Sequence, residues 1–405
     1  MILSGEARRD VVNLPSRRSP IFLLCNELTF GGTEGQFVEI ACRLDRSRWD
    51  PHVSCVRAEG PRRARLDAAG VHAWSCGRGS FKSPRFAVAV VKLASFLRAH
   101  RVRLVHCFEF YSNLLGVPAA RLARVPVVIA SQRDLGNLRP QHQRRLHNVA
   151  LRLADYVVVN TGTVAERLEK ARIVAPTRIV VIPNGVDCTR FSPSQGEDHP
   201  SGRIIIGTVA ILRPEKGLVD LVRAAGHVVE RCPKARFLIW GEGPLRPQLE
   251  GLVRDGGLSG AFALPGATLE PEAALRQLDI FVLPSLSEAC SNALLEAMAS
   301  GRAVVATRVG GNPALVEDEV TGLLVPPGDP AALAKAILRL IEEPALASAL
   351  AARAQKWDRA EFGIDRMLAR FEALYDTALA KRASEASPRA GAQSMARIDP
   401  WDRAS

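Results

Sequence analysis

Short apolar runs rich in Val and Ile alternate along the chain with longer stretches whose apolar residues recur at helical spacing. Such runs are typical of strands buried in parallel sheets. In the first half they predict strands at residues 21–25, 52–56, 71–76, 103–108, 125–131, 155–160 and 178–183. In the second half they predict strands at 203–210, 235–241, 261–266, 279–285, 303–307 and 322–327. The alternation predicts an α/β fold built from βαβ units.

One polar stretch rich in Pro, Gly and Ser, residues 191–202, interrupts this alternation and predicts a linker. We therefore predict two Rossmann-like, doubly wound domains facing each other across a cleft, at residues 1–195 and 196–361. A helical pattern at 362–382 predicts a final helix, and residues 383–405 lack periodicity and predict a disordered tail. Loops after the strands should hold the ligand.

The composition of the 405 residues, 47% hydrophobic and 24% charged, is that of a soluble globular enzyme. No apolar run approaches the roughly 20 residues that span a bilayer. The start of the chain has no apolar segment after a basic one, so we expect no secretory signal and a cytoplasmic protein.

The net charge of +12 lies entirely in the first half of the chain. Residues 1–200 hold 30 Lys and Arg against 17 Asp and Glu, and residues 201–405 hold 24 against 25. This asymmetry favours an anionic partner such as a membrane surface or a phosphorylated acceptor, although a solvated basic surface remains an alternative. The basic helical stretches 84–103 and 139–155 could rest peripherally on anionic lipid. We expect no nucleic-acid partner, because interleaved aromatic residues and known motifs are missing.

The eight cysteines are scattered without metal-ligand spacing, so we expect buried, reduced thiols and no metal site. The glycine pair Gly31-Gly32 follows the first strand and precedes a helix that carries Glu34. It would let a ligand approach the backbone closely, although a plain turn would also use it. The pattern is not G-x-G-x-x-G, so we expect no dinucleotide cofactor.

The stretch LPSLSEACSNALLEAMASG, residues 283–301, predicts a strand end, a loop and a helix capped by Ser291. Free amides at a helix N-terminus favour phosphate oxygens. Glu288 lies on the loop and Glu296 inside the helix, so two carboxylates flank this phosphate site. A nucleotide sugar fits, with Glu296 accepting from ribose hydroxyls and Glu288 from sugar hydroxyls. Either acid alone would more often be a solvated loop residue or a helix i,i+4 partner, and the combination with the loop and the cap reverses that preference.

The sequence RPEKG places Arg213 and Lys216 on the loop after the first strand of the second domain. Cations there could neutralise a diphosphate leaving group, although surface cations are common in loops. On the first domain, His106 and Glu109 follow a strand and are placed on the acceptor side. A lone strand histidine is more often packed and hydrogen-bonded.

Together these motifs resemble glycosyltransferase family 4, whose members are retaining enzymes of GT-B fold. The resemblance rests on GGTE (31–34), VIPNGVD (181–187), RPEKG (213–217), GEGP (241–244), E-x7-E (288–296) and GLLVPPGD (322–329). It implies transfer of a hexosyl group from a nucleotide sugar to a glycan, lipid-linked or small-molecule acceptor, with retention and without a required metal or other cofactor. It also implies that the last helix packs back on the first domain.

The resemblance assigns roles residue by residue. Glu288, Lys216 and Arg213 are expected to be the catalytic groups, with Lys216 on the diphosphate. The donor site is expected to include Gly31, Gly32, Gly266, Cys290, Ser291, Asn292, Leu295 and Glu296.

Two positions depart from the family. Ile211 stands where many members have a phosphate-binding arginine, so the substitution by Arg213 stays open. Phe108 stands where many carry a second histidine, so His106 does not inherit that role. A reaction in which the leaving phosphate takes the acceptor proton needs no histidine. The departures keep an inactive binding or scaffold protein as an alternative, beside a nucleotide-sugar epimerase or a phosphorylase of the same fold.

Overall fold

The computed structural model describes residues 18–77, 83–193 and 202–386. Within this part of the chain the predicted strands are all present, and they form two sheets. The first sheet contains β1 (Ser19–Cys25), β2 (Trp49–Cys55), β3 (Ala73–Ser75), β4 (Leu104–Cys107), β5 (Val127–Gln132), β6 (Tyr156–Val159) and β7 (Ile179–Val181). The second contains β8 (Ile204–Val209), β9 (Ala235–Trp240), β10 (Phe262–Gly266), β11 (Ile280–Leu283), β12 (Ala303–Thr307) and β13 (Leu323–Val325).

Both sheets are parallel and doubly wound. The strand orders are β3-β2-β1-β4-β5-β6-β7 and β10-β9-β8-β11-β12-β13. The order therefore reverses between β1 and β4 in one sheet and between β8 and β11 in the other. Ligands of such sheets bind at these switch points, beyond the carboxyl ends of the strands. The two Rossmann-like sheets predicted from the sequence are confirmed.

Helices cover both faces of each sheet. Those of the first half are α1 (Gly32–Arg43), α2 (Arg63–Ala68), α3 (Pro84–Ala99), α4 (Phe110–Ala123), α5 (Gln141–Leu153) and α6 (Gly162–Lys170). Those of the second half are α7 (Leu218–Arg231), α8 (Arg246–Asp255), α9 (Pro271–Arg276), α10 (Asn292–Ala299), α11 (Asn312–Leu315), α12 (Pro330–Glu342), α13 (Pro344–Phe362) and α14 (Ile364–Ala386). Short 3₁₀ turns lie at Pro176–Arg178 and Pro214–Lys216.

The apolar runs of the strands supply both faces of each sheet at once. In β1, Ile21 and Leu23 pack into the cluster on one face, and Phe22 and Leu24 pack into the cluster on the other. This follows from the alternation of side chains along a strand. A strand buried on both faces therefore reads as a continuous apolar run rather than an alternating one.

The last helix returns from the second domain to the first. Met367, Phe371 and Tyr375 of α14 lie in the core cluster of the first sheet. The chain crosses at Gly363, next to the earlier crossing near Val186, whose amide donates to the Phe362 carbonyl at 2.8 Å. The two crossings thus lie side by side and form the connection between the domains.

The final helix is longer than predicted, and most of the predicted linker and tail lies outside the described residues. The final helix was predicted at 362–382, whereas α14 runs to Ala386, so the first residues of the predicted tail are helical. The remainder of the tail, 387–405, and most of the predicted linker, 194–201, lie outside the described residues.

Candidate functional site

The loop after β11 leads into α10 as the sequence predicts. Ser291 is the N-cap, and its hydroxyl accepts a hydrogen bond from the Leu294 amide at 3.3 Å. Gly301, with φ 68°, follows the carboxyl end of the helix. The side chain of Asn292 donates to the Gly32 carbonyl at 2.9 Å, so the N-terminus of α10 faces the first domain.

Glu288 and Lys216 form an ion pair at the mouth of α10. The Nζ of Lys216 lies 2.7 Å from Oε2 of Glu288, which also accepts from the Ser285 hydroxyl at 3.1 Å. Both side chains are largely buried, with exposed fractions of 25% for Lys216 and 11% for Glu288. The structure therefore brings together two of the three predicted catalytic groups.

Gly217 allows the loop after β8, which carries Lys216, to approach the loop after β11, which carries Glu288. Its φ is 62°, in the left-handed region, and a Cβ there would lie 1.9 Å from the Pro284 carbonyl oxygen. Only glycine allows this approach. Beside it, the Leu286 amide donates to the Glu215 carbonyl at 2.8 Å. The RPEKG loop is thus fixed against the loop that carries Glu288.

Glu296 lies farther inside α10 as a partly buried carboxyl. Burial raises its pKa to about 7, and the nearby guanidinium groups of Arg62 and Arg190 act in the opposite direction. No donor among the described residues hydrogen-bonds this carboxylate. Arg62 comes from the first domain, where its Nε donates to the Thr29 carbonyl at 2.9 Å. Glu296 therefore keeps its acceptor capacity free of donors from the described residues, near an arginine of the first domain.

The predicted donor-side glycines lie at or just after the carboxyl ends of strands, Gly31 and Gly32 after β1 and Gly266 at the end of β10. Gly32 is exposed and opens α1, and a Cβ on it would lie 3.1 Å from the Asn292 side-chain nitrogen. Gly31 precedes it, and a Cβ there would lie 2.0 Å from a carboxyl oxygen of Glu34. Gly266 ends β10, and its carbonyl accepts from the Gly241 amide at 2.7 Å.

A polar network that the sequence analysis missed supports the loop between β11 and α10, residues 284–291, which we call the donor loop. Arg133, immediately after β5, donates to Oδ1 of Asn184 at 2.5 Å. The Asn184 amide group donates to Oδ1 of Asn292 at 2.5 Å and to the Cys290 carbonyl at 3.1 Å. Arg133 is 8% exposed, and its Nε and Nη1 have no partner among the described residues. Asn184 directly follows a predicted strand and Arg133 lies two residues after another, which was a usable signal.

Glu109, predicted for the acceptor side, lies at the end of the first sheet. Its Oε1 accepts from the Asn26 amide at 3.0 Å. Burial raises its pKa to about 7, and the neighbouring carboxyl of Glu34 adds to the rise. Burial also raises the pKa of Glu34. The first-domain edge therefore holds two acids that are protonated more readily than usual.

His106 does not lie on the acceptor side, so that prediction is wrong. Its side chain is 0% exposed, with Nδ1 2.7 Å from the Tyr375 hydroxyl and Nε2 2.8 Å from the Ser131 hydroxyl. It stacks on Phe108 with ring centroids 4.0 Å apart, and burial holds its pKa well below the usual range. Side chains alternate between the two faces of β4, and His106 lies on the face that packs against α14.

Leu295 is also misplaced in the prediction. It is 0% exposed and belongs to the core cluster of the second domain, because this face of α10 packs inward. The side chains of Cys290 and Ser291 are largely buried, so only their backbone groups are available to contact a ligand. Arg213 is exposed and has no ion pair with any described residue, and its role stays a prediction.

All eight cysteines are free thiols, of which Cys25, Cys55, Cys107 and Cys290 are buried. In the described ranges, no cluster of His, Cys, Asp and Glu has the arrangement of a metal site. None of the helices described is both long enough and apolar enough to cross a membrane.

Comparison with protein families gives two matches in sequence. Residues 30–190 match the model for "Glycosyltransferase Family 4", and residues 203–343 match that for "Glycosyl transferases group 1". The two matches divide between the two sheets and include all six motifs of the resemblance, and α14 lies outside both matched ranges.

Curated relatives are similar over about two thirds of the chain. A 2-deoxystreptamine glucosyltransferase of Streptomyces kanamyceticus is 29% identical over 295 residues, which are 67% of this chain and 76% of the relative. An Escherichia coli UDP-Gal:alpha-D-GlcNAc-diphosphoundecaprenol alpha-1,3-galactosyltransferase is 27% identical over 275 residues, 64% of this chain and 71% of the relative.

Solved structures share the fold at low identity. Anabaena HepE in complex with UDP-glucose has a TM-score of 0.79 at 20% identity, over 88% of this chain and 99% of that one. Sucrose-phosphate synthase of Thermosynechococcus elongatus has a TM-score of 0.75 at 21% identity, over 90% of this chain and 100% of that one. The arrangement of two facing Rossmann-like domains is that of the GT-B fold.

Proposed function

The chain belongs to glycosyltransferase family 4, and from this premise we propose that it transfers a hexosyl group with retention at the anomeric carbon. Use of a nucleotide sugar as donor follows from the family. Retention, the acceptor and the roles of individual residues are the proposal. The observation that carries it is the Lys216–Glu288 pair at the mouth of α10, at 2.7 Å.

The donor diphosphate would lie over the N-terminus of α10. Amides at that end of a helix and a nearby ammonium group both stabilise phosphate oxygens. Lys216 would share its ammonium group between Glu288 and the diphosphate, and the exposed Arg213 could add a second cation from the same loop. The charge that develops on the leaving phosphate is thus neutralised in a largely buried site.

The two glutamates would hold the sugars on either side of the phosphates. Glu296 has no hydrogen-bond donor among the described residues, which supports a role in accepting from ribose hydroxyls. Glu288 already has an oxygen engaged by Lys216 and Ser285, and its second oxygen would accept from hydroxyls of the transferred sugar. Positioning of this kind converts binding energy into rate.

The proton of the acceptor needs a destination as the new glycosidic bond forms. In our proposal the acceptor hydroxyl attacks the anomeric carbon on the face from which the phosphate departs, and the departing phosphate oxygen takes the proton. This route uses no histidine, which accords with the complete burial of His106. Attack and departure on one face preserve the anomeric configuration. We expect neither a metal nor another cofactor to be required.

For the acceptor we propose a hydroxyl of a glycan or lipid-linked glycan in polysaccharide or glycoconjugate assembly. Support comes from the Escherichia coli relative, whose name specifies a diphosphoundecaprenol-linked acceptor. In our proposal Glu109, at the edge of the first sheet and with a pKa raised to about 7 by burial, would contact such a hydroxyl. A cytoplasmic enzyme with peripheral membrane contact would meet acceptors of this class.

The test is a donor screen followed by determination of product stereochemistry. Purified protein is titrated calorimetrically with nucleotide sugars, beginning with UDP-glucose and UDP-galactose, and then supplied with glycan acceptors. Proton NMR of the product should show the anomeric configuration of the donor. An inverted product would overturn retention. With a donor labelled in its sugar, label that remains on the nucleotide would indicate an epimerase, and label that appears as sugar phosphate would indicate a phosphorylase.

A further inference from the structure

Arg133, the residue after β5, carries a buried guanidinium group that is only partly hydrogen-bonded. It lies at the carboxyl edge of the first sheet, where ligands of such sheets bind. Asn160 holds its backbone by donating to the Arg133 carbonyl at 3.2 Å. The side chain is 8% exposed, and its Nη2 donates to Asn184 at 2.5 Å. Nε and Nη1 have no partner among the described residues, so most of the N–H donors lack an acceptor.

The described groups that surround this cation supply no full negative charge at neutral pH. Those that act on Arg133 electrostatically include Cys290, Cys25, Glu109 and Tyr375. Burial raises the pKa of Cys290 to about 12 and also raises the pKa values of Cys25 and Tyr375, so these three groups are neutral. Burial raises the pKa of Glu109 to about 7, and this carboxyl does not hydrogen-bond the guanidinium. A buried charge without a partner is costly, so the position suits an anion that a ligand brings.

The guanidinium is next to the N-terminus of α10. Asn184, which accepts from Arg133, donates to the Cys290 carbonyl at 3.1 Å and to Oδ1 of Asn292 at 2.5 Å. Asn292 is the first residue of α10, after the N-cap Ser291. One side chain therefore separates Arg133 from the helix end over which we place the donor diphosphate.

The RPEKG loop of the second domain offers that diphosphate one paired cation and one exposed cation. Lys216 is shared with Glu288 at 2.7 Å, and Arg213 is exposed. Ile211, on the same loop, is apolar. A diphosphate carries more negative charge than one shared ammonium group neutralises. A buried cation from the opposite domain would complete the neutralisation.

We propose that Arg133 binds the distal phosphate of the donor diphosphate and is a further catalytic residue of the transfer. This inference rests on the proposed function, and it adds a first-domain cation to a phosphate site built from second-domain loops. The acceptor oxygen bonds to the anomeric carbon while the bond from that carbon to the phosphate oxygen breaks. The electron pair of the broken bond stays on the phosphate, which also takes the acceptor proton. The unpartnered N–H groups of Arg133 donate to this phosphate and stabilise the charge that develops on it.

The test compares nucleoside diphosphate with nucleoside monophosphate. The wild type is titrated calorimetrically with UDP, GDP and ADP, and then with the monophosphate of the base that binds. Arg133→Gln should weaken binding of the diphosphate by about tenfold to a hundredfold and change binding of the monophosphate by less than about threefold, because the lost contact is to the distal phosphate. With the matching nucleotide sugar, kcat should fall by about a hundredfold or more.

Two further variants control this result. Arg133→Lys keeps the charge but not the planar group, so its affinity for the diphosphate should lie between those of the wild type and Arg133→Gln. If thermal unfolding shows that Arg133→Gln does not fold, Arg133→Lys should still lose about threefold or more for the diphosphate alone. Arg139→Gln is the matched control from the same loop, because Nη1 of Arg139 is paired with Asp134 at 2.7 Å. It should bind both nucleotides within about twofold of the wild type.

Two results would overturn the assignment of Arg133. Equal weakening of the diphosphate and the monophosphate would mean that the residue only holds Asn184 and the donor loop in place. Unchanged affinity for the diphosphate would remove the guanidinium from the donor, and a raised KM for an anionic acceptor in the same variant would place it on the acceptor. A folded wild type that binds none of the three diphosphates would instead count against the donor class of the proposed function.

Discussion

At the residue scale, the ion pair between Glu288 and Lys216 is the feature on which the proposed transfer depends most. Glu288→Gln keeps the shape of the side chain but removes the charge that orients Lys216 and one acceptor for sugar hydroxyls. We expect kcat/KM to fall by about a hundredfold or more. Steady-state kinetics measure this, with Glu230→Gln, an exposed acid on α7, as the control of the same chemistry. Turnover near the wild-type value in Glu288→Gln would remove the residue from the reaction.

The raised pKa of Glu296 makes donor binding depend on pH. In our proposal the Glu296 carboxylate accepts hydrogen bonds from ribose hydroxyls, and it accepts them most strongly when deprotonated. Burial raises its pKa to about 7. Donor affinity should therefore fall as the pH drops below 7, and Glu296→Gln should bind about tenfold more weakly at higher pH with this dependence lost. Calorimetric titrations across pH measure both effects. An identical pH profile in the variant would show that another group titrates.

The positions of side chains were predictable where a residue follows a strand and ambiguous where it lies within one. Glu288, Ser291 and Lys216 lie on loops or at a cap, and the structure brings them together. His106 lies within β4, and only the return of α14, with Tyr375, determines that it is buried. A contact between residues so distant in sequence has no local signal, which is why that prediction failed.

At the element scale, α13 contains an unusual buried acid. Asp358 is 0% exposed, and neither carboxyl oxygen has a partner among the described residues. Burial raises its pKa from 3.8 to about 8. The folded protein keeps this proton while the unfolded chain loses it, so stability should decrease as the pH rises from 3.8 to 8.

Asp358→Asn should therefore stabilise the protein at pH 8 by about 1–3 kcal/mol, with the gain vanishing near pH 4. Urea unfolding at several pH values measures the difference. Asp365→Asn, at an exposed position on α14, is the control and should show no such gain. A pH-independent effect of Asp358→Asn would contradict the assigned protonation.

Elements were the most predictable level. Each predicted strand is present, because a parallel sheet covered on both faces requires continuous apolar runs. The start of α10 was predictable because Ser291 is a strong N-cap. The end of α14 at Ala386 was not, since Ala, Lys, Arg and Glu near residue 382 favour a helix without defining where it stops.

At the scale of the whole molecule, the donor loop is supported by the opposite domain. Asn184 links Arg133 of the first domain to Asn292 and the Cys290 carbonyl of the second. Asn184→Ala should free this loop and raise KM for the donor by about threefold to tenfold with a smaller change in kcat. Initial-rate kinetics test this, and a pure loss of kcat would place Asn184 in the chemical step instead.

The facing of the two domains was predicted from the two sheets and the linker, whereas the contacts that fix it were not predictable. The sequence predicts two sheets, but their mutual placement depends on contacts such as Asn292 with Gly32 and on the paired crossings at Val186 and Gly363. These join residues far apart in the chain, and no periodicity encodes them. The E-x7-E stretch therefore predicts a donor site, but no local pattern predicts which groups of the first domain contact it.

The most direct measurement is a crystal structure with a nucleotide sugar that the calorimetric screen has identified. Our account predicts ribose hydroxyls within hydrogen-bond distance of Glu296, the diphosphate on Lys216 and the N-terminus of α10, and hexose hydroxyls on Glu288. A nucleotide sugar bound at another place, or bound here with both glutamates turned away from it, would contradict the account.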